Sequence, residues 1–444
     1  MARLGTTAGV RYAGLAARSA FASDADRAVL QQRFELQTAQ QVAETLGNMK
    51  GALMKLGQMA SYLDQGLPEP VREVLAQLQS SAPPMSPALA AEVVRSELGA
   101  PAEELFASWD PVPIAAASIG QVHRATTHDG REVAVKIQYP GVADAIRADL
   151  DNSDLVFGAL GFLFPGLDPK PIVAELRARL LEELDYENEA TNQTRFVEYY
   201  VGHPTIHVPA VIPEFSTKRV LTSEFVVGAS FAEVLTWSQD ERNLAAETIY
   251  RYTFGGIYRV GTFNGDPHPG NYLFGRDGRV TFLDYGLCKV FRADEVKLFE
   301  ELIQAMVLNP DMRRFMAEAK RIGFFAADAH PDEQLAFDYF RHFYEFVLHD
   351  QTMTFTPEYA SESVRRYFDV AGPYAEMIKG ANVPQSMVII QRINLGLFAV
   401  FAELGATANW RRIAEEIWPF VDGPPSTPMG EAVARWDALR SAET

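Results

Sequence analysis

Two short stretches constrain this chain more than any others. Phe263-Asn264-Gly265-Asp266-Pro267-His268-Pro269-Gly270-Asn271 is followed, after an apolar run, by Phe282-Leu283-Asp284-Tyr285-Gly286. An aspartate five positions before an asparagine lets one loop present a base at one end and an oxygen ligand at the other. A second aspartate, on an Asp-aromatic-Gly turn, adds a further metal ligand. Phosphoryl transfer from a nucleotide needs these three groups together. On this reading Asp266 faces the acceptor hydroxyl, and Asn271 and Asp284 hold Mg2+ against the phosphates. Val280 to Leu283 reads as the strand that delivers Asp284. Pro and Gly also mark plain turns, so the Asp266 loop gains its meaning from Asp284.

Composition narrows the partners. The chain has 444 residues, 48% hydrophobic and 22% charged, which suits an ordinary globular core. Its net charge of -18 argues against a nucleic-acid binder, because neutralising phosphates needs a basic surface. Cys288, the one cysteine, permits no internal disulfide and no cysteine metal cluster, which fits a reducing cytoplasm. No long uncharged apolar run is present, so no transmembrane helix is expected. The best candidate, Met387 to Leu404, is interrupted by Gln391, Arg392, Asn394 and Glu403 and reads as a buried helix. Residues 1–22 carry Arg3, Arg11 and Arg18 and no acid. They read as a frayed basic arm or one that touches a membrane surface, in preference to an organelle transit peptide.

Taken in order, residues 25–80 are helical, with Val42, Leu46, Met49, Leu53 and Leu56 at helical spacing. Lys55 and Gln58 share a face of that helix; a solvated lysine there is the plain alternative. Pro83, Pro84 and Pro87 form a linker before a helix over Ala88 to Leu98. Then the period changes. A run through Ala115-Ala116-Ala117-Ser118 leads by the Asp129-Gly130 turn to Val133-Ala134-Val135-Lys136-Ile137, a hairpin signal. The second strand matches the kinase pattern whose lysine reaches the α- and β-phosphates. Where kinases place a glycine-rich phosphate cover, this chain has alanines, which makes a stiffer loop. A long helix is expected from Pro171 to Tyr200, with Glu182, Glu183, Asp185, Glu187 and Glu189 along it. Such a helix supplies the acid that orients the strand lysine. Val208 to Ile212 and Arg219 to Val227 read as strands, and Glu224 and Val226 as the hinge where backbone groups meet adenine. A helix over 240–260 precedes the Asp266 loop. Only Leu287 to Ala293 separate the second motif from the next helix, too few for a peptide-docking segment. The rest is helical to Trp418, and 423–444 reads as a tail with a short helix.

With these pieces placed, the chain resembles the UbiB family of atypical kinases, also called AarF-domain proteins, over roughly residues 40–310. The marks are Lys55-x-Gly-Gln58, the Ala115 to Ser118 loop, Glu183-x-Asp185 with Glu189, and Asp266-Pro-His-Pro-Gly-Asn271. Phe263-Asn264-Gly265 and Tyr285 depart mildly from the family pattern. The resemblance implies an α+β, bilobal protein-kinase-like fold. Residues 25–100 would form a helical extension packed over the active site, 101–227 a small sheet-bearing lobe, and 228–422 a helix-rich lobe. It further implies that Lys136 pairs with Glu189, and Lys55 with Glu183 and Asp185. The implied ligands are ATP or ADP with Mg2+. The implied activity is that of an atypical kinase or ATPase in lipid or isoprenoid-quinone metabolism, with peripheral membrane contact in a bacterial cytoplasm. Two alternatives stand beside it: a small-molecule phosphotransferase resembling aminoglycoside and choline kinases, and a nucleotide-gated scaffold.

Overall fold

Asp129-Gly130 closes a hairpin, with Gly130 in the left-handed region at φ 87°. Its strands are β3 (Gly120–Thr126) and β4 (Glu132–Gln138). The structure, a computed structural model, describes residues 85–117, 119–144, 181–325, 330–367, 372–374, 377 and 385–443. β4 alternates as a half-buried strand must: Val133, Val135 and Ile137 are fully buried, and Lys136 faces the other side. Its sheet has the order β1 (Ser108–Trp109), β3, β4, β6 (Val220–Glu224), with β2 (Ala115–Ala116) on β3. β6 runs antiparallel to β4 and sets Leu221 opposite Lys136.

The chain divides into two compact units, Met1–Ser86 with Ala115–Gln121 and Gln138–Leu184, and Pro87–Ile114 with Val122–Ile137 and Asp185–Thr444. In the first, the Gln121 carboxamide accepts from the Met85 N–H, and Gln138 donates to the Leu184 carbonyl. The second opens with helix α1 (Pro87–Leu98) and carries Lys136, Glu189, Asp266, Asn271 and Asp284.

Helix α2 (Tyr186–Tyr200) begins later than its sequence suggests. A continuous helix is expected from Pro171, whose start lies outside the described residues; the helical residues 181–183 end at Leu184-Asp185, so Glu183 and Glu189 do not share one helix. Asp185 leaves helical geometry at φ -113° and ψ 88° and accepts from the Asn188 N–H. A short acidic side chain satisfies an orphan helix donor better than it continues a helix. Glu187 and Glu189 then occupy the first turn, where the helix dipole favours carboxylates.

Helix α3 (Gln239–Gly255) starts from a Ser238/Glu241 capping box and ends in a π-helical turn, Gly256–Val260. It delivers β7 (Thr262–Asn264), the Asp266 loop, β8 (Tyr272–Phe274) and β9 (Val280–Phe282). β9 lies between β8 and β5 (Ile206–His207), parallel to the latter. The short stretch after Gly286 forms β10 (Cys288–Val290), antiparallel to β7 with Cys288 opposite Asn264. Helix α4 (Ala293–Ile303) starts three residues later.

The remainder is helical: Met312–Arg321, Glu333–His342, Pro357–Tyr367, α5 (Gln385–Leu404), Trp410–Glu415 and α6 (Pro428–Glu443). Phe355, Phe398, Phe401 and Trp410 form an aromatic centre there, each almost wholly buried. Burying each ring contributes about 1.5–3 kcal/mol. The C-terminal stretch, expected as a tail with a short helix, carries the 16-residue α6, with Met429, Val433 and Trp436 buried. No helix among the described residues is long and apolar enough to cross a membrane.

Candidate active site

Lys136 Nζ donates to both oxygens of Glu189, at 2.7 and 2.9 Å. It also lies 3.8 Å from Asp284 Oδ2 and 4.9 Å over the ring of Tyr186. The Glu189 side chain is only 2% exposed, against 28% for Asp284, so the first carboxylate is an internal partner and the second faces the open site. Burial opposes the Lys136 charge, but Glu189 and then Asp284 outweigh it and hold the ammonium well above its ordinary value. Burial pushes the Glu189 carboxyl up, and Lys136 pulls it back.

α2 is tied to the Asp284 turn at more than this point. The Tyr285 N–H bonds Glu189, and Asn192 donates to the Tyr285 carbonyl at 3.2 Å. Tyr285 is fully buried against Phe196 of the same helix, and its hydroxyl donates to Phe282 O. Asp284 Oδ1 accepts from the Gly286 N–H at 3.0 Å, which orients the carboxylate.

The Asp266 loop is held by its own backbone and by Asn264. Asn271 N–H donates to the His268 carbonyl, its carbonyl accepts from Leu283 N–H, and its Nδ2 points to the Asp266 carbonyl at 3.5 Å. Gly265 makes the loop possible: its N–H meets the Leu287 carbonyl at 2.6 Å, and a Cβ there would stand 2.9 Å from that oxygen. Asn264 has a role that its place in the sequence does not reveal. Its Oδ1 accepts from Asp266 N–H at 3.3 Å, and its Nδ2 donates to the Asp284 carbonyl at 2.7 Å and the Tyr252 hydroxyl at 3.1 Å. In sequence it is only a spacer before Asp266. The pairing of β7 with β10 is the missing signal.

Glu224, at the end of β6, exchanges bonds with Ala210 and lies 3.4 Å from His207 Nε2. Val226 is half-buried beyond it. Ala115 and Ala116 are exposed, and Ala117 N–H donates to the Gly120 carbonyl. Glu183 is buried, and Asp185 caps α2. Lys55, Gln58 and Ser118 lie outside the described residues.

In chemical terms, the Lys136 ammonium lies between a buried carboxylate, Glu189, and a partly exposed one, Asp284, and the Asn264 amide ties the Asp284 turn to the Asp266 loop. Oxygen donors such as the Asp284 carboxylate and the Asn271 amide suit a hard divalent ion that also binds phosphate, such as Mg2+. A lysine strand, a glutamate helix and an Asp-aromatic-Gly turn in this order define a kinase-like domain.

Comparison with known proteins agrees. Residues 77–319 match the ABC1 atypical kinase-like domain, and the chain belongs to that family, the UbiB family. It is 29% identical over 390 residues to the atypical kinase COQ8, mitochondrial, of Saccharomyces cerevisiae, covering 85% of this chain and 76% of that one. It is 33% identical over 311 residues to the probable serine/threonine-protein kinase abkA of Dictyostelium discoideum, covering 65% and 54%. The chain thus spans little more than half the length of the second relative. A solved structure of the Rv3197–erythromycin complex from Mycobacterium tuberculosis is similar at a TM-score of 0.63 and 30% identity. The likeness covers 89% of this chain and 100% of that one.

Proposed function

We propose that this chain binds ATP with Mg2+ and transfers or hydrolyses the terminal phosphoryl group, acting in lipid or isoprenoid-quinone metabolism rather than on proteins. The observation that carries the reading is the buried Lys136–Glu189 pair with Asp284 3.8 Å away. A lysine held by an internal glutamate has its charge fixed in place before a nucleotide arrives. In this reading Lys136 contacts the α- and β-phosphates, and Asp266 orients the acceptor and takes its proton. Asn271 and Asp284 hold Mg2+, which would neutralise charge on the transferred group. Glu224 and Val226 offer backbone groups to adenine.

A protein substrate is disfavoured because the segment after Gly286 is spent on β10, and α4 begins at Ala293. The erythromycin complex of the similar Rv3197 gives some support to a small organic molecule as acceptor or ligand. The lipid or quinone assignment comes from the family resemblance, and with it goes peripheral contact with a membrane.

The test is ADP production by the wild-type protein and by Asp284→Asn, with Mg2+ titrated and with lipid extracts added. Turnover that needs Mg2+, is lost in Asp284→Asn and rises with a lipid fraction is the expected result. Equal turnover in both proteins, or nucleotide binding unchanged in excess chelator, overturns the reading. Binding without any turnover would favour a nucleotide-gated scaffold.

A further inference from the structure

α2 carries Glu189 in its first turn and has no basic residue in its last. The carbonyls at that last turn lack partners within the helix. The His203 N–H meets the Tyr200 carbonyl, and α6, more than two hundred residues later, supplies donors to the carbonyls of Tyr199 and of Val201 just past the helix. Trp436 Nε1 donates to the Val201 carbonyl at 2.9 Å, and Arg440 Nη1 to the Tyr199 carbonyl at 3.1 Å. The Arg440 guanidinium lies 4.0 Å over the Tyr199 ring, so its charge sits at the negative end of the α2 dipole. Trp436 also packs on Tyr200 and, at 4.6 Å, on His203.

α6 is fixed independently of α2. Thr427 caps it by accepting from the Gly430 N–H, and the Glu416 carboxylate accepts from the Ser426 and Thr427 N–H groups. Arg251 of α3 donates to the Thr427 hydroxyl, and Arg259 pairs with Asp437. Met429 Sδ accepts from the Thr248 hydroxyl, also of α3. The anchor of α6 is therefore the element that leads into the Asp266 loop.

We propose that Trp436 and Arg440 are positioning residues that hold the far end of α2, and through it keep Glu189 on Lys136. The proposal rests on the reading of that pair as the nucleotide-orienting one. Ten residues of helix, about 15 Å, separate Tyr199 from Glu189, and a helix carries displacement at one end to the other. Lys136 has a second carboxylate within reach at 3.8 Å. If α2 swings, the ammonium moves onto Asp284 and engages the carboxylate assigned to metal. α6 lies beyond residues 77–319, so the family match does not include this support.

The experiment compares full-length wild type with Arg440→Ala, Arg440→Lys and Trp436→Phe, the last keeping an aromatic ring and losing the N–H donor. Arg435→Ala, an exposed position on the same helix, is the control. Hydrogen exchange is read at amides 188–196, with melting temperature, kcat, KM for ATP and the Mg2+ half-saturation. Arg440→Ala and Trp436→Phe should exchange faster at 188–196, by about fivefold or more. Their kcat should fall by roughly tenfold, with the Mg2+ requirement raised and KM for ATP little changed. Arg440→Lys should recover much of this, and Arg435→Ala should match wild type. Faster exchange confined to 198–203 and 428–443, with 188–196 as protected as in wild type, overturns the proposal. A wild type without ATP turnover sinks the functional reading alone, since the exchange comparison still decides whether α6 holds Glu189.

Discussion

The Asn264 carboxamide donates to the carbonyl of Asp284 at 2.7 Å while its oxygen accepts from the N–H of Asp266 at 3.3 Å. One side chain thus ties the backbones of Asp266 and Asp284 together. An amide suits this place because one contact needs a donor and the other an acceptor.

Asn264→Asp should therefore separate the two contacts. It keeps the acceptor for Asp266 N–H, loses the donor to Asp284 and Tyr252, and sets an oxygen against the Asp284 carbonyl. A neutral hydrogen bond contributes about 1 kcal/mol, so kcat should fall several-fold to roughly tenfold. Asn264→Ala removes both contacts without placing an oxygen there, and should also lower kcat. The measurement is kcat with Mg2+ half-saturation. Wild-type values in Asn264→Asp would leave Asn264 as a packing residue of β7.

Lys136→Met should unfold more easily than wild type. It strands Glu189, whose side chain is 2% exposed. Breaking one side of such a pair costs about 3–5 kcal/mol, whereas replacing both sides is often neutral. Lys136→Met with Glu189→Leu should accordingly regain stability but not turnover. Urea midpoints for the three proteins test this, and a double variant as unstable as the single one would count against it.

Much of this site is legible in the sequence because its chemistry demands particular residue types in a fixed order. Lys136, Glu189, Asp266, Asn271 and Asp284 are all charged or amide residues in short motifs. Asn264 escapes such a reading because its partner Asp284 is twenty residues away, and the pairing of β7 with β10 brings them together. The break before α2 escapes because Glu182 to Glu189 is equally good as helix; the capping preference of Asp185 decides it. α6 reads as a loose end with a short helix. Its Thr427-Pro428 start and the spacing of Met429, Val433, Trp436 and Arg440 are helix signals, but their value depends on α2 being there to meet them.

Gly265→Ala should injure activity more than stability. The added Cβ would stand 2.9 Å from the Leu287 carbonyl and 3.4 Å from Ile393 of α5, so the loop must move. A shift of about 1 Å at Asp266 can cost on the order of a hundredfold in rate. Turnover and melting temperature measured together check this. A rate within about twofold of wild type would mean the backbone absorbs the methyl without moving Asp266.

Acid should loosen the end of α2 through His203. Burial, then the charges of Arg259 and Arg251, hold this imidazole at about 3, far below its ordinary value. Its Nδ1 accepts from the N–H groups of Thr205 and Ile206, and its ring meets Trp436. Asp437, paired with Arg259, is the nearby acid on α6. The folded value lies below the unfolded one, so between about pH 6.5 and 3 the unfolded chain binds the proton and the folded chain does not. Stability from this group is therefore full above about pH 6.5 and declines as pH falls through that window, by at most about 1.4 kcal/mol per unit. Urea midpoints at pH 7, 6 and 5 should drop more steeply in wild type than in His203→Gln, which does not titrate. Parallel slopes in the two proteins would remove His203 from the account and leave acid sensitivity to other groups. If the α6 clamp acts as proposed, exchange at 188–196 should quicken in wild type over the same interval, before the global transition begins.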